Sequence, residues 1–369
     1  MRVLYVYPIM VELGGAERVF IQKMNLLATR SGYEVFFVTY NQGSHPLSFA
    51  LDEKVHHEDL GVFTYTHYQY KGLRRLWEYV KRRRMLRQRL TAKVKELQPD
   101  IIITSTAGDF PLLCQCKGKQ SSVIVESHAC YHHLVDYGAM TIWNRIDLFR
   151  RYQWLRKVDR IVTLTEADAR RWKKHYQQVV VIPNIVHLNT TGRYSSQDEK
   201  RIIYAGRFAE VKGMTELAAT WELIYQKHPD WRLDAYGNGD DRELQGVEGL
   251  HVHSAVPDPM PYYCDSSMLL LTSRDEPFGL VMPEAMSCGL PVVAFDTDGS
   301  SSIITDGEDG FVVKSSNCEA FARQVCRLIE DVELRKRMGQ CAIANARRFS
   351  AENILSQWET LFKSLVAAK

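Results

Sequence analysis

Two glutamates eight residues apart, Glu276 and Glu284, bracket the turn Pro277-Phe278-Gly279 in the stretch DEPFGLVMPEAMSCGLPVVAFD. An apolar run, SMLLLTS, leads into the turn; Pro283 then suits the first turn of a helix and Gly289 its C-terminal cap. Backbone amides at Phe278, Gly279 and Leu280 would open that helix, and a helix N-terminus favours an anion such as phosphate. Carboxylates beside a phosphate pocket make sense as acceptors of hydroxyl hydrogen bonds, as from a ribose or a hexose. The plainer reading makes Glu284 a favourable acid in a first helical turn and Glu276 an exposed loop charge.

Cations occupy a second such loop. In YAGRFAEVKGM a strand ends near Gly206, Arg207 follows, and Lys212 and Gly213 precede the helical run MTELAATWELIYQ. An arginine fork and a lysine point charge on one post-strand loop form a diphosphate clamp, against the alternative of a solvated basic loop. Nearer the N-terminus, MVELGGAERV sets Gly14 and Gly15 between a strand and a helix. Paired glycines let a backbone approach an anion, although the G-x-G-x-x-G dinucleotide fingerprint is absent, and a plain helix-starting turn is the other reading. The apolar strand in VIVESHACYHH ends at Glu126-Ser127-His128, with His132 and His133 close behind. These histidines lack cysteines or carboxylates at metal-ligand spacing, so no metal site is expected.

Loops can carry such groups only if strands and helices hold them. RVLYVYP, YEVFFVTY, DIIITS, SVIVES, DRIVTLT and VVVIPN alternate with helical segments, and KRIIYAGR, WRLDAYG, LHVHSAV, SMLLLTS, PVVAFD and GFVVK repeat the pattern after about residue 190. The alternation predicts two doubly wound α/β domains with parallel sheets, whose ligands sit outside the carboxyl ends of the strands. The polar stretch HLNTTGRYSSQDEK reads as an exposed linker, giving domains of residues 1–187 and 188–369, with the last helix, about 350–369, free by its pattern to stay with the second domain or cross to the first.

The bulk numbers agree with this division. A chain of 369 residues, 45% apolar and 25% charged, is long for one domain and ordinary for two. Its net charge of +3 excludes nothing. Eight cysteines without a C-x-x-C pair read as reduced intracellular thiols rather than a disulfide framework or a zinc site. The apolar start MRVLYVYPIM reads as a strand rather than a signal peptide, and no run approaches the ~20 apolar residues of a membrane span.

The E-x₇-E pattern in EPFGLVMPEAMSCGLPVVAFD, preceded by AGRFAEVKG and, near the N-terminus, GGAERV, resembles glycosyltransferase family 4 over nearly the whole chain. The resemblance implies a GT-B fold, two Rossmann-like domains facing each other across a cleft. It implies a retaining, metal-independent sugar transfer from a nucleotide-diphosphate donor, UDP-linked foremost, with no cofactor. The C-terminal domain would hold the donor and the N-terminal domain a glycan or lipid-linked acceptor. Arg207 and Lys212 match the family's diphosphate-binding pair, Glu284 the ribose-gripping glutamate and Glu276 the one on the donor hexose. The Phe278, Gly279 and Leu280 backbone would lie beside sugar and phosphates, Gly14 and Gly15 near the donor, His128 near its sugar, and the loop around Val256 at the base. After AFD, TDGSSSIITDGEDG departs from the family, carrying Ser300, Ser301 and Ser302 where a glutamate is usual, which leaves contacts of that loop and the donor preference open. The family's favoured path is front-face displacement assisted by the leaving phosphate.

From Lys71 to Lys95 the chain carries eleven Lys or Arg against one acid, Glu78. Leu73, Leu76, Trp77 and Val80, then Leu86, Leu90 and Val94, recur at helical spacing with a phase shift between the sets. This basic amphipathic helix fits an anionic membrane surface, or else a domain helix with a solvated basic face. No nucleic-acid-binding motif accompanies it. The expected protein is therefore a cytoplasmic enzyme, peripheral on the inner face of the cell membrane, in surface polysaccharide, lipopolysaccharide or glycolipid assembly. A GT-B sugar phosphorylase and a non-catalytic nucleotide-sugar-binding protein are the alternatives. The loops NQGSHPLSF and DYGAMTIW fit an acceptor pocket wall and equally plain surface loops.

Overall fold

The computed structural model describes residues 1–12, 14–131 and 142–369. It divides into two units, Met1–Ile185 with Leu355–Lys369, and Val186–Ile354. The first is built on β1 (Arg2–Tyr7), β2 (Glu34–Thr39), β3 (Val55–Asp59), β4 (Ile101–Ser105), β5 (Ser122–Glu126), β6 (Arg160–Thr163) and β7 (Val179–Val181). They lie in the order β3-β2-β1-β4-β5-β6-β7, every neighbouring pair parallel. β4 and β5 are buried at all five positions, as strands covered on both faces must be, and their sequences are correspondingly apolar. From β1 the chain winds outward to β3 and returns to place β4 on the other side of β1, so the direction of winding reverses between β1 and β4.

The second unit repeats the plan with β8 (Arg201–Ala205), β9 (Arg232–Tyr236), β10 (Leu250–His253), β11 (Met268–Leu271), β12 (Val292–Phe295) and β13 (Gly310–Val313), in the order β10-β9-β8-β11-β12-β13. Again all pairs are parallel, and the reversal falls between β8 and β11. Ligands of doubly wound sheets bind at such reversals, beyond the carboxyl ends of the strands.

β3 has no counterpart in the sequence reading. Its residues, Val-His-His-Glu-Asp, are polar because it is the sheet's edge and three of the five are exposed, so no apolar run announces it. The polar segment after Val186 is mostly exposed as expected, yet it is tied to the second unit: the Asn189 amide donates to Ser287 Oγ at 2.9 Å and the Ser195 amide to the Cys288 carbonyl at 2.9 Å.

Helix α1 (Gly15–Ala28) buries Val19, Phe20, Ile21, Met24 and Leu27, and with them Lys23. Helix α2 (Gly72–Leu97) buries its apolar residues only toward its C-terminal end: Leu86, Leu90 and Val94 are buried, whereas Leu73 is 86%, Leu76 and Trp77 each 59% and Val80 38% exposed, with Glu78 the buried residue of that half. The two apolar sets thus have different surroundings, which is what their phase shift marks. Helix α3 (Met214–Tyr225) follows β8, and the short α4 (Val281–Ser287) follows β11. Helix α5 (Ala351–Ala367) closes the chain. From Leu355 onward it belongs to the first unit, where Trp358 and Phe362 are buried and Lys369 lies 3.4 Å from Asp159. Among the described residues no helix is long and apolar enough to cross a membrane.

Candidate functional site

In the second unit the reversal between β8 and β11 brings together Lys212 and Glu276, both singled out from sequence. Glycine makes the approach of the two post-strand loops possible. Gly213 has φ +69°, and a Cβ there would lie 2.0 Å from the Thr272 carbonyl oxygen beyond β11. Thr272 Oγ1 donates to the Lys212 and Gly213 carbonyls at 3.2 and 3.0 Å, and the Arg274 amide donates to the Val211 carbonyl at 2.9 Å. Across this seam Lys212 Nζ is 2.5 Å from Glu276 Oε2. Ser273 Oγ supports the same carboxylate oxygen at 3.4 Å.

Arg207, on the same loop as Lys212, is exposed, and its carbonyl accepts from Tyr204 Oη at 3.3 Å. Burial, with the Glu276 carboxylate nearby, pushes the Tyr204 hydroxyl well up, so it stays a protonated donor. The Glu276 backbone is pinned by the Gly299 amide at 2.8 Å, and a Cβ on Gly299 would meet the Phe278 carbonyl oxygen at 2.2 Å. Phe278 itself is buried edge-to-face on Phe349, ring centroids 5.4 Å apart, so its side chain anchors the turn and only its backbone is left to meet a ligand. Gly279 takes φ +86° and Leu280 caps α4. Glu284 stands in the first turn of α4, as the plainer reading also has it, and is 2% exposed, whereas Glu276 at 8% is not the exposed loop charge of that reading. In the divergent loop after β12, Ser300 Oγ bonds the Thr297 amide at 2.8 Å and the Phe295 carbonyl at 2.6 Å, and Ser302 Oγ bonds the Asp298 carbonyl at 2.6 Å. These serines close the loop on itself.

A cavity of about 580 Å³ beside β9 and β10 is lined by Phe208, Gly237, Asn238, Gly239, His253 and Ser254, among others. Its volume is that of a small-molecule site. Gly237 and Gly239 let the β9 loop close on the β8 loop, since Cβ atoms there would sit 2.0 Å from the Gly206 oxygen and 2.1 Å from the Phe208 oxygen. Sequence reasoning passed over them, although Gly-Asn-Gly directly after a strand is a usable signal. Val256 lies on the following loop, which Asn238 Oδ1 holds by accepting from the Ala255 amide at 3.1 Å.

In the first unit Gly14 is the N-cap of α1, its carbonyl accepting from the Arg18 amide at 3.1 Å, and Gly15 is its first residue. His128 follows β5 and packs against Phe20 of the same helix, ring centroids 5.0 Å apart. Its Nε2 is 3.4 Å from Glu126 Oε2, and Glu126 in turn is ion-paired with Lys23. Neither Glu126 nor Lys23 was singled out for a role from sequence. The NQGSHPLSF loop is firmly tied: Gln42 Nε2 donates to the His45 and Pro46 carbonyls at 2.9 and 3.2 Å, and Asp59 accepts from the Gln42 and Gly43 amides at 3.1 and 3.0 Å. His132, His133 and residues 136–141 of the DYGAMTIW loop lie outside the described residues. Among the described residues no three His, Cys, Asp or Glu side chains gather as metal ligands.

The model of the family described as Glycosyltransferase Family 4 matches residues 13–190, and that described as Glycosyl transferases group 1 matches residues 199–331. An uncharacterized glycosyltransferase of Haemophilus influenzae is 28% identical over 358 residues, 94% of this chain and 95% of that protein. The amylovoran biosynthesis glycosyltransferase AmsD of Erwinia amylovora is 28% identical over 220 residues, 55% of this chain and 62% of its own length. Among solved structures, S. aureus TarM, crystallised with fondaparinux, α-GlcNAc-glycerol and UDP, superposes with a TM-score of 0.75 at 16% identity, covering 98% of this chain and 99% of its own. Two parallel-sheet Rossmann-like units of the GT-B type, and family models that match one after the other along the chain, establish that it belongs to the group 1 glycosyltransferases.

Proposed function

We propose that this chain transfers a hexose or N-acetylhexosamine, with retention and without a divalent metal, from a nucleotide-diphosphate sugar to a glycan or lipid-linked acceptor. The observation that carries this reading is the contact of Lys212 with Glu276 across the β8/β11 reversal, at 2.5 Å. A cation for phosphate and a carboxylate for sugar hydroxyls meet there, where doubly wound sheets take ligands. Arg207 and Lys212 take the diphosphate, Glu276 the donor sugar, Glu284 the ribose, and the Phe278 to Leu280 backbone the phosphate beside it. The cavity next to β9 and β10 suits the base, for which UDP is the first candidate because relatives were crystallised with it. By the family resemblance Gly14, Gly15 and His128 are assigned to the donor as well.

In the reaction the acceptor hydroxyl oxygen forms its bond to the anomeric carbon on the face from which the diphosphate departs. The carbon–oxygen bond to the phosphate breaks, and the departing phosphate oxygen takes the acceptor's proton. Negative charge grows on the leaving diphosphate, and preorganised cations at that point lower the barrier.

The exposed half of α2 supplies the acceptor's setting. Leu73, Leu76, Trp77 and Val80 stand in water among Lys71, Arg74, Arg75, Lys81 and Arg84. An anionic lipid surface would cover the apolar residues and attract each cation by about 1 kcal/mol. We therefore assign the enzyme to the inner face of the cell membrane, in surface-glycan assembly. Salt-sensitive flotation with anionic but not neutral vesicles, lost in Leu76→Ser/Trp77→Ser, is the expected result; equal recovery without vesicles would sink the assignment.

A panel of UDP- and GDP-sugars, offered in metal-free buffer to wild type, Glu276→Ala and Arg207→Ala, tests the chemistry. Slow hydrolysis of one donor by wild type, reduced at least about a hundredfold in both variants, is expected. Cleavage that needs inorganic phosphate would make the chain a phosphorylase, and tight binding without cleavage, even with acceptor lipids added, a binding protein.

A further inference from the structure

One buried charged cluster of the first unit has no part in the reading above. Lys23 points from the middle of α1 into the interior, where it is 1% exposed, and pairs there with Glu126, itself 3% exposed at the end of β5. Aromatic faces surround the ammonium: Tyr5 of β1 at 5.6 Å, Phe20 of α1 at 5.1 Å and Trp358 of α5 at 3.9 Å. The other carboxylate oxygen of Glu126 is the one 3.4 Å from His128 Nε2. Both nitrogens of His128 are shielded from solvent, and the 3.4 Å approach of Nε2 to Glu126 is the polar contact the ring makes on that side.

As packing this is a poor arrangement, because apolar side chains of the same volume would avoid the cost of stripping water from two charges. As electrostatics it has a definite effect. Burial alone would raise Glu126, but Lys23 and His128 outweigh it and hold the carboxyl below its ordinary range. Burial pulls Lys23 below its ordinary range, with Glu126 opposing. The carboxylate, held on its other oxygen by the ammonium, thus presents a fixed acceptor to one edge of the imidazole. The other polar groups nearby are Tyr5, which burial and then Glu126 keep protonated, and Tyr7, pushed up to about 12 by burial and then by Glu17 of α1.

We propose that Lys23 and Glu126 are positioning residues for His128: Lys23 holds the Glu126 carboxylate in place, and Glu126 selects Nε2 as the protonated nitrogen and fixes the ring, leaving Nδ1 as an acceptor. Trp358 closes the ammonium's cage, so the seating of α5 belongs to the device. The consequence for catalysis rests on the reading that His128 meets the donor sugar; the consequence for the ring itself does not.

Histidine-labelled full-length protein, with the His128 signals assigned through His128→Gln, reads the ring's tautomer by NMR. Lys23→Met leaves an unpaired buried anion and Glu126→Gln an unpaired buried cation. Each single variant can misfold for the same reason, so Lys23→Met/Glu126→Gln is the deciding protein. It is neutral again and keeps the volume, so the fold is retained while the tautomers become mixed. In the double variant kcat falls by about tenfold to a hundredfold with KM nearly unchanged. A lowered melting temperature with the tautomer unmoved would overturn the proposal and leave a merely structural pair. Altered His128 signals with unaltered turnover would keep the positioning role and remove His128 from the donor site.

Discussion

A single methyl group is enough to separate the two loops that carry Lys212 and Glu276. Alanine at position 213 would be held at φ +69° with its Cβ 2.0 Å from the Thr272 oxygen, so either the backbone strains or the seam opens. Gly213→Ala is expected to cost about 1–3 kcal/mol and to weaken donor binding more than an Ala substitution elsewhere in the β8 loop, measurable as a lower melting temperature and a lower affinity in donor titrations. Lys212 and Glu276 stand out in the sequence as charges set shortly beyond apolar strands, and Glu284 as the second glutamate of the pair around the turn. Lys23 does not, since a lysine on an amphipathic helix reads as solvated, and only the fold reveals that position 23 faces inward. A clue stood elsewhere: Glu126 ends the otherwise apolar strand SVIVE, and a buried carboxylate requires a partner.

Helices and strands were legible to the extent that burial writes a period into the sequence. Of the thirteen strands among the described residues, twelve lie within apolar runs of the sequence, and β3, polar and at an edge, does not. For α2 the periodicity was correct but its meaning was divided: Leu86, Leu90 and Val94 belong to the core, and Leu73, Leu76, Trp77 and Val80 do not. The two halves should therefore respond to mutation in opposite ways. Leu90→Ala removes a fully buried side chain and is expected to cost about 2–5 kcal/mol by denaturant unfolding without altering vesicle binding. Leu76→Ser/Trp77→Ser is expected to change stability by less than about 0.5 kcal/mol per site while abolishing vesicle binding. If the double serine variant unfolds as readily as Leu90→Ala, the exposed half of α2 is part of the fold after all.

At the scale of the whole chain, the two-domain α/β plan could be read from the repeated strand pattern, but the destination of α5 could not, because an amphipathic stripe does not state which surface it covers. Its final residue takes part in a small charge cluster: Asp159 lies 2.7 Å from Lys117 Nζ, accepts from the Val123 amide at 2.8 Å and lies 3.4 Å from Lys369 Nζ. Partial burial opposes these contacts, yet together they hold the carboxyl below its ordinary 3.8. A depressed carboxyl contributes stability above its unfolded value and loses it as pH falls through its folded one. The melting-temperature gap between wild type and Asp159→Asn should therefore be open near about pH 6 and close as pH falls below about 3. The return of residues 355–369 to the first unit also fixes an order of assembly during synthesis. Residues 186–354 are contiguous and can fold as soon as they leave the ribosome, whereas the first unit, begun earlier, must wait with the Lys23 face of α1 uncovered until Trp358 emerges. The half of the protein that is made first is the half that is finished last, and in the interval its exposed face is the one a chaperone would have to guard.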